Sequence, residues 1–437
     1  MTSTAIAAEV SRITKYFDGV MQLYPLGHDN GRLFDQVCCS AKSSLDSIDL
    51  IIASEAENEK RKVFLLNGNL NHHLDIQGLL SDIKSKMNRT DRLVAVLYNP
   101  YFRWLYQLAD KLGLRKVKQP VTFITEVDLK NIAILSGFEV VRLRPVSYSP
   151  FKLLGLGTII NTILPLIPIV RRLSFATVAV LRPVIKEEAP ISLSIIIPAR
   201  NEEGNIENAL KRLPNFGGAE VEVIYVEGHS KDQTWDEIQR VVKENKYPQF
   251  TLKAFQQPGV GKKDAVEVGF ANASKDLLTI LDADLTMPPE LLDRFYNAYC
   301  SGQADFVNGN RLLYPMEPGA MRFLNHLGNI FFAKTLSSLL SIKIGDSLCG
   351  TKMFARHDLP RINGWWHDFG GYDPFGDYYL LFSAAVLGLG TVDIPIHYRD
   401  REYGDTNIMR FRHGLMLFRM VFRGIWQIKS GRRFLQK

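Results

Sequence analysis

Thr279-Ile280-Leu281-Asp282-Ala283-Asp284-Leu285-Thr286-Met287-Pro288-Pro289-Glu290 sets two carboxylates two residues apart at the end of an apolar run. Alternate side chains of an extended strand share a face, so Asp282 and Asp284 point the same way where the strand runs out. Like charges held that close repel, and a divalent cation between them relieves the repulsion. Hard oxygen ligands suit Mg2+ or Mn2+, which keep open positions for substrate phosphates. The stretch also reads as a solvated turn before a helix, with Pro288 and Pro289 at its start and Glu290 at its positive end. Taken alone, the tripeptide favours the turn.

Working outward, three more apolar runs end in polar loops. Ser192–Ile197 stops at Pro198-Ala199-Arg200-Asn201-Glu202-Glu203 ahead of a helix expected over 205–213. Val221–Val226 leads into Glu227-Gly228-His229-Ser230-Lys231-Asp232-Gln233-Thr234. Gly259-Val260-Gly261-Lys262-Lys263-Asp264-Ala265 is a Gly/Lys loop suited to phosphate oxygens. Four polar strand ends in succession are where ligands bind in open α/β sheets.

These segments, in this order, resemble glycosyltransferase family 2, from about residue 190 onward. The resemblance implies a GT-A fold, a nucleotide-sugar donor (UDP- or GDP-linked) and inversion at the anomeric carbon. It places Pro198, Arg200, Glu202 and Glu227 around the nucleoside and Lys262 near the diphosphate, with Asp282 and Asp284 as metal ligands. Glu227 stands where most members have Asp. Within the family, Asp282–Glu290, Gly309-Asn310-Arg311 and Asp346–Phe354 are similar to polyprenyl-phosphate sugar transferases of the dolichyl-phosphate mannosyltransferase type, with Thr286 where that group often has Gln. With four motifs in register, the metal site becomes the better reading of Asp282 and Asp284.

The acceptor sets the remaining chemistry. A lipid phosphate is already ionised at neutral pH and needs cations to hold it, for which Arg311, Lys352, Arg399 and Arg401 are candidates. A sugar hydroxyl needs a base, for which Asp377 is the candidate, with a helix N-cap as its alternative. Trp365, Trp366 and Tyr372 are candidates for stacking on a sugar. Cys349 reads as a small packing residue.

With 437 residues, 46% hydrophobic and 23% charged, the chain has the composition of an ordinary globular protein with room for two or three domains. Four cysteines without metal-ligand spacing favour a reducing compartment. No signal peptide is expected at the N-terminus. In order along the chain, 49–53, 62–67, 92–97 and 138–141 read as strands, with helices at 76–83 and 128–135, a pattern for a parallel sheet. No element is expected before about residue 45. Residues 45–183 resemble the later half of a class I S-adenosylmethionine-dependent methyltransferase, through Phe64–Gly68, Asp75–Leu80 and Asp128–Val141. Glycines 19, 27 and 31 are too widely separated for a cofactor loop, so S-adenosylmethionine is not expected and the domain is taken as degenerate, structural or regulatory.

Leu153–Val170 is the most apolar stretch, 18 residues ending at Arg171-Arg172 and interrupted by Pro165 and Pro168. A helix packed on the first domain is the preferred reading and an interfacial segment the alternative. Residues 401–437 carry nine Lys/Arg against two acids, and helical spacing over 409–429 aligns Phe411, Leu415, Phe418, Phe422 and Ile425 beside Arg412, Arg419 and Arg423. That pattern suits a membrane surface, and no nucleic-acid motif accompanies it.

The expectation is an α/β chain: a partial methyltransferase-like domain over 1–183, a linker over 184–190, a GT-A domain over 191–405 and a basic amphipathic helix over 406–437. Its expected activity is metal-dependent inverting transfer of a sugar from a nucleotide sugar to a polyprenyl phosphate, at the inner face of the cell membrane. A hydroxyl-directed glycosyltransferase and a silent scaffold are the alternatives.

Overall fold

The computed structural model describes the chain except residues 1, 27–30, 51–59, 114–119, 150, 152–154, 168–169, 318–322, 371–372, 374–375, 402, 404–409 and 430–437. Two compact units emerge: Met1–Ile185 with Ala385–Gly388 and Arg423–Lys437, and Lys186–Ala384 with Leu389–Phe422.

In the first unit, six strands form a sheet in the order β2-β1-β3-β4-β6-β5. They are β1 (Gly19–Leu23), β2 (Lys42–Leu45), β3 (Lys62–Asn67), β4 (Arg92–Tyr98), β5 (Phe138–Val146) and β6 (Ala176–Pro183). Strands β1 to β4 pair in parallel, as alternating helices and strands require. β6 departs from the expected parallel sheet, running antiparallel between β4 and β5. Helix α1 (Thr2–Thr14) buries Ile6, Val10 and Ile13 at helical spacing. Asp49 and Leu50 fall in a helical turn, Ile48–Leu50, rather than the expected strand, and residues 51–53 of that expectation lie outside the described residues. Helices α2 (Ile76–Ser85), α3 (Arg103–Lys111), α4 (Glu126–Leu135) and α5 (Leu156–Ile163) complete the unit.

The second unit holds a seven-stranded sheet in the order β13-β11-β12-β10-β7-β8-β9. Its centre is β7 (Leu193–Ala199), nearly all buried, flanked in parallel by β8 (Val221–Glu227) and β10 (Leu277–Ile280). Strand order runs outward from β7 through β8 to β9 (Phe250–Gln256) and then jumps back to β10, so a topological switch point lies between β7 and β10. β12 (Lys352–Ala355) runs antiparallel to β10 and β11 (Phe306–Asn310), and β13 (Thr391–Pro395) pairs in parallel with β11. Because β12 is reversed, its first residue, Lys352, sits at the same sheet edge as the carboxyl ends of its neighbours. Helices α6 (Ile206–Lys211), α7 (Thr234–Glu244), α8 (Lys262–Asn272), α9 (Leu292–Cys300), α10 (Phe323–Leu340), α11 (Leu359–Phe369), α12 (Asp377–Val386) and α13 (Arg410–Gly424) follow. Where α8 crosses the sheet it presents Gly269, where a Cβ would strike the side chain of Ile196 on β7. That close approach sets the start of α8, and with it Lys262, beside the end of β10.

Candidate active site

The chain leaves β10 at Ile280, and Asp282 and Asp284 stand in the loop beyond it. Asp282 pairs its Oδ1 with Lys262 Nζ at the start of α8. Burial opposes ionisation of Asp282, but Lys262, Arg311 and Lys352 outweigh it and hold its carboxyl below the usual range. The complementary effect acts on Lys262: burial disfavours its charge, yet Asp282 and Asp377 raise its pKa. Asp284 is the better fixed of the two. Its Oδ1 accepts from Thr286 N at 3.2 Å and Thr286 Oγ1 at 2.8 Å, while Oδ2 lies 2.6 Å from Arg401 Nη2. Thr286 thus orients the second carboxylate.

Gly350 closes one wall. A Cβ there would meet Lys262 Nζ and the Asp282 carboxylate, so a side chain at this position would push that ion pair aside.

On the β7 side, Glu202 is buried, accepts from Asn205 Nδ2 at 2.7 Å and lies 4.0 Å from Arg401. Burial, with the charges of Asp284 and Asp282 added, pushes its pKa up to about 7. Glu227, at the end of β8, is buried and committed: it accepts from Ser230 N at 2.5 Å and from Gln256 Nε2 at 3.1 Å. Pro198 lies within β7, and the Arg200 side chain is exposed just beyond it.

From the other side come fixed cations. Arg311, after β11, grips buried Asp346 in a two-point pair of 2.6 and 3.0 Å, and its guanidinium lies 5.1 Å from the centre of the Tyr398 ring. Asn329 of α10 donates to the same Asp346 at 2.8 Å. Lys352 is fully buried, with Nζ 2.6 Å from Asp377 Oδ1 and also donating to the Cys349 carbonyl. Arg399 anchors its loop through its backbone N–H, which donates to Thr286 O at 3.0 Å, while its side chain is exposed.

The structure therefore brings Glu202, Lys262, Asp282, Asp284 and Arg401 together, with Arg311, Lys352 and Asp377 adjoining. Arg401, expected among the acceptor cations, contacts Asp284 and Glu202 instead. Trp365 and Trp366 are not a sugar platform: both are buried, Trp365 stacking on Phe369 at 4.9 Å and Trp366 meeting Tyr379 edge-on at 5.5 Å. Tyr372 lies outside the described residues. Cys349 is a packing residue as expected, its thiol pushed up to about 12 by burial. Sequence reasoning assigned no role to Asp346, Gly350, Asn329 or Tyr398. A signal for the first two lay inside the Asp346–Phe354 motif.

No group of three or more His, Cys, Asp or Glu suited to a metal occurs among the described residues. Two carboxylates that already attract cations nevertheless fit Mg2+ or Mn2+, which bind through one or two carboxylates plus substrate phosphates.

Residues 194–362 match the Glycosyl transferase family 2 model. The chain is 34% identical over 122 residues to a dolichol-phosphate mannosyltransferase of Pyrococcus furiosus, covering 28% of this chain and 33% of that one. It is 28% identical over 229 residues to a dolichyl-phosphate hexose transferase of Haloferax volcanii, covering 52% and 92%. To an undecaprenyl-phosphate 4-deoxy-4-formamido-L-arabinose transferase of Enterobacter sp. it is 23% identical, covering 54% and 68%. Among solved structures, glucosyl-3-phosphoglycerate synthase of Mycobacterium tuberculosis with Mn2+ and UDP is a loose backbone likeness, with TM-score 0.39, 16% identity and coverage of 55% and 80%. The chain spans about a third of the Pyrococcus relative and nearly all of the Haloferax one. The family match lies within the second unit, which carries a domain of the Glycosyl transferase family 2 type.

Proposed function

We propose that the second unit transfers a sugar, with inversion, from a nucleotide-sugar donor to a polyprenyl phosphate, using Mg2+ or Mn2+ held by Asp282 and Asp284. The observation that carries the acceptor class is the Lys352–Asp377 pair. A hydroxyl acceptor requires a base, and the candidate, Asp377, has an oxygen committed to buried Lys352 at 2.6 Å. A phosphate acceptor requires no base, only positive charge. Arg311, fixed by Asp346 just after β11, and exposed Arg399 supply it, while the charge of fully buried Lys352 is matched by Asp377. Three named relatives use dolichyl or undecaprenyl phosphate, which supports the same acceptor class.

Pro198, Arg200, Glu202 and Glu227 would line the nucleoside, and Lys262 would turn from Asp282 toward the diphosphate. A divalent ion bound there supplies charge neutralisation for the departing nucleoside diphosphate. The acceptor phosphate oxygen, steered by Arg311 and exposed Arg399, forms the new bond to the anomeric carbon. The sugar–diphosphate bond breaks with its electron pair on the leaving group, and no proton moves.

A lipid acceptor calls for a membrane surface, and peripheral binding at the inner face is the reading that fits. No described helix is long and apolar enough to cross a membrane. Helix α13 packs inward through Leu417, Met420 and Val421 while Leu415, Phe418 and Phe422 are exposed. Leu324, Leu327 and Phe331 of α10 are exposed beside them, the rings of Phe331 and Phe418 being 5.5 Å apart. Exposed Lys334 and Arg419 add positive charge.

The decisive experiment is a screen of UDP- and GDP-sugars with a short polyprenyl phosphate, with and without EDTA. Metal-dependent transfer to the lipid phosphate is the expected result. Transfer to sugar hydroxyls alone, or no donor binding at all, would overturn the proposal.

A further inference from the structure

Helix α5, Leu156–Ile163, inverts the usual rule for a helix on a globular unit. Its sequence, Leu-Gly-Thr-Ile-Ile-Asn-Thr-Ile, is dominated by apolar residues, yet Gly157 is its only buried residue. Leu156 is 60% exposed, Ile159 53% and Ile163 47%. The residue that ties it down is polar: Asn161 Oδ1 accepts from the backbone N–H groups of Tyr148 and Ser149 at 2.5 and 2.9 Å, and its Nδ2 donates to Ser149 O at 3.0 Å. A soluble helix buries its apolar stripe and wets its amides. Here the amide faces the protein and the isoleucines face out.

The neighbouring elements of this unit extend the surface. The turns after α5 expose Ile167 and Leu173. Helix α3 is pinned to the same region by Tyr106, whose hydroxyl donates to Phe175 O at 2.7 Å, and Phe102 stacks on Phe175 at 5.0 Å. It turns out Trp104, 62% exposed, and Leu108, with Tyr101 just before it. Ile425–Lys429, which clusters with this unit, packs near Leu164–Leu166 and exposes Trp426.

Charge identifies what covers this surface. From Val140 to Lys186 the sequence has no Asp or Glu; of its seven Lys/Arg, Arg142, Arg144 and Arg182 are buried within the unit, which leaves Lys152 before the apolar stretch, Arg171-Arg172 after it and Lys186. Between Lys111 and Glu126 there is again no acid, and Arg115, Lys116 and Lys118 intervene. Apolar residues with tryptophans at their margin and an excess of Lys/Arg are the chemistry of a segment lying in the interface of an anionic bilayer. A second copy would meet these cations with its own, and like charge disfavours self-association through this face. Eight helical residues span about 12 Å, too short to cross the hydrocarbon core.

We infer that the first unit is a lipid-docking module that lays α5, with the α3 face beside it, into the headgroup region of an anionic membrane. This does not depend on the transferase reading of the second unit, and its test uses neither donor nor acceptor. Full-length protein is floated with phosphatidylcholine vesicles with and without about one-third phosphatidylglycerol. Wild type should bind the anionic vesicles preferentially. Ile159→Ser with Ile163→Ser should lower the partition coefficient about tenfold or more, since each removes an inserted apolar side chain. Phe418→Ser with Phe422→Ser reports separately on the second unit. Because α5 substitutions sit at exposed positions, circular dichroism should be unchanged. As a readout free of folding artefacts, brominated lipid should quench wild-type tryptophan fluorescence, with a smaller quenchable fraction in Trp104→Phe. Unaltered partition of the α5 variant, absent quenching at Trp104, or an α5-dependent dimer that floats no less well when disrupted, would each overturn the inference.

Discussion

Asp282 and Asp284 look equivalent in the sequence and are not equivalent in the fold. Asp282 keeps 29% of its side chain exposed and touches Lys262, whereas Asp284 keeps 9% and is fixed by Thr286 and Arg401. The better-fixed carboxylate is the one whose loss cannot be made up by rearrangement. Asp284→Asn should therefore lower kcat/KM about 100-fold or more, the scale of several kcal/mol lost at a metal-assisted step, and Asp282→Asn less. Steady-state kinetics at saturating metal would compare them, and equal tolerance of both would break the assignment. Glu202 gives a pH signature. Its folded pKa, about 7, exceeds the ordinary glutamate value of 4.5, so the native state holds a proton that the unfolded chain releases. Its contribution to stability is then highest below about pH 4.5 and falls as pH rises through 7. In metal-free protein, Glu202→Gln should flatten that decline, and urea melts at pH 5 and 8 would show it. The acid pair and Lys262 were legible because each follows a strand in a short motif. Arg401 was visible only as a charge, since its partners lie at positions 202 and 284, a separation that no local pattern encodes.

Among elements, α1 and β5 join through a buried charge cluster invisible to spacing. Glu9 of α1 contacts Arg142 and lies 3.3 Å from Arg12 and 3.5 Å from Arg144. Burial raises the pKa of its carboxyl, but Arg12, Arg142 and Arg144 overcome this and bring it to about 2. Its contribution to stability is thus present above about pH 4.5 and lost as pH falls toward 2. Removing one member of a buried cluster leaves the others uncompensated, so Glu9→Gln should destabilise the first unit by about 3 kcal/mol or more, read by denaturant unfolding at pH 7. The strands were legible wherever six or seven mostly apolar residues met a turn, as in β3, β4, β7 and β8. β1 and β2 escaped because they are four or five residues long and β2 is largely exposed. α1 carried a usable signal, Ile6, Val10 and Ile13 on one face. Of the packed helix expected over 153–170, Leu156–Ile163 is helical and held to the unit by Asn161, but most of its apolar residues are exposed, which hydrophobicity alone does not reveal.

At the scale of the molecule, class and topology separate cleanly. Alternating strands and helices announced α/β architecture in both units. The reversal of β6 and β12 was not announced, because direction depends on how a connection returns and not on the strand's own residues. The reversal of β12 has functional weight, since a parallel β12 would carry Lys352 to the opposite edge of the sheet. The division expected over 184–190 coincides with the contact boundary at Ile185 and Lys186, and we retain it as a proposal. If the first unit contributes lipid docking rather than chemistry, S-adenosylmethionine should produce no heat on titration into the full chain. Micromolar binding by calorimetry would contradict that division of labour.

The pairing of Lys262 with Asp282 and of Arg401 with Asp284 has a thermodynamic corollary. Before any ligand arrives, each acid already owns a counter-ion from the chain. On the proposed function, loading the site would be an exchange of partners: the two acids would pass to a divalent ion, and the two released cations to a diphosphate. An isocoulombic exchange of this kind leaves the number of ion pairs with bulk electrolyte almost unchanged. The affinity for metal and donor titrated together into metal-free protein should vary little between about 50 and 300 mM KCl, far less than the steep dependence expected of an anion entering an unpaired basic cleft. Lys262→Met, which leaves Asp282 without its internal counter-ion, should restore a clear salt dependence in the same titration.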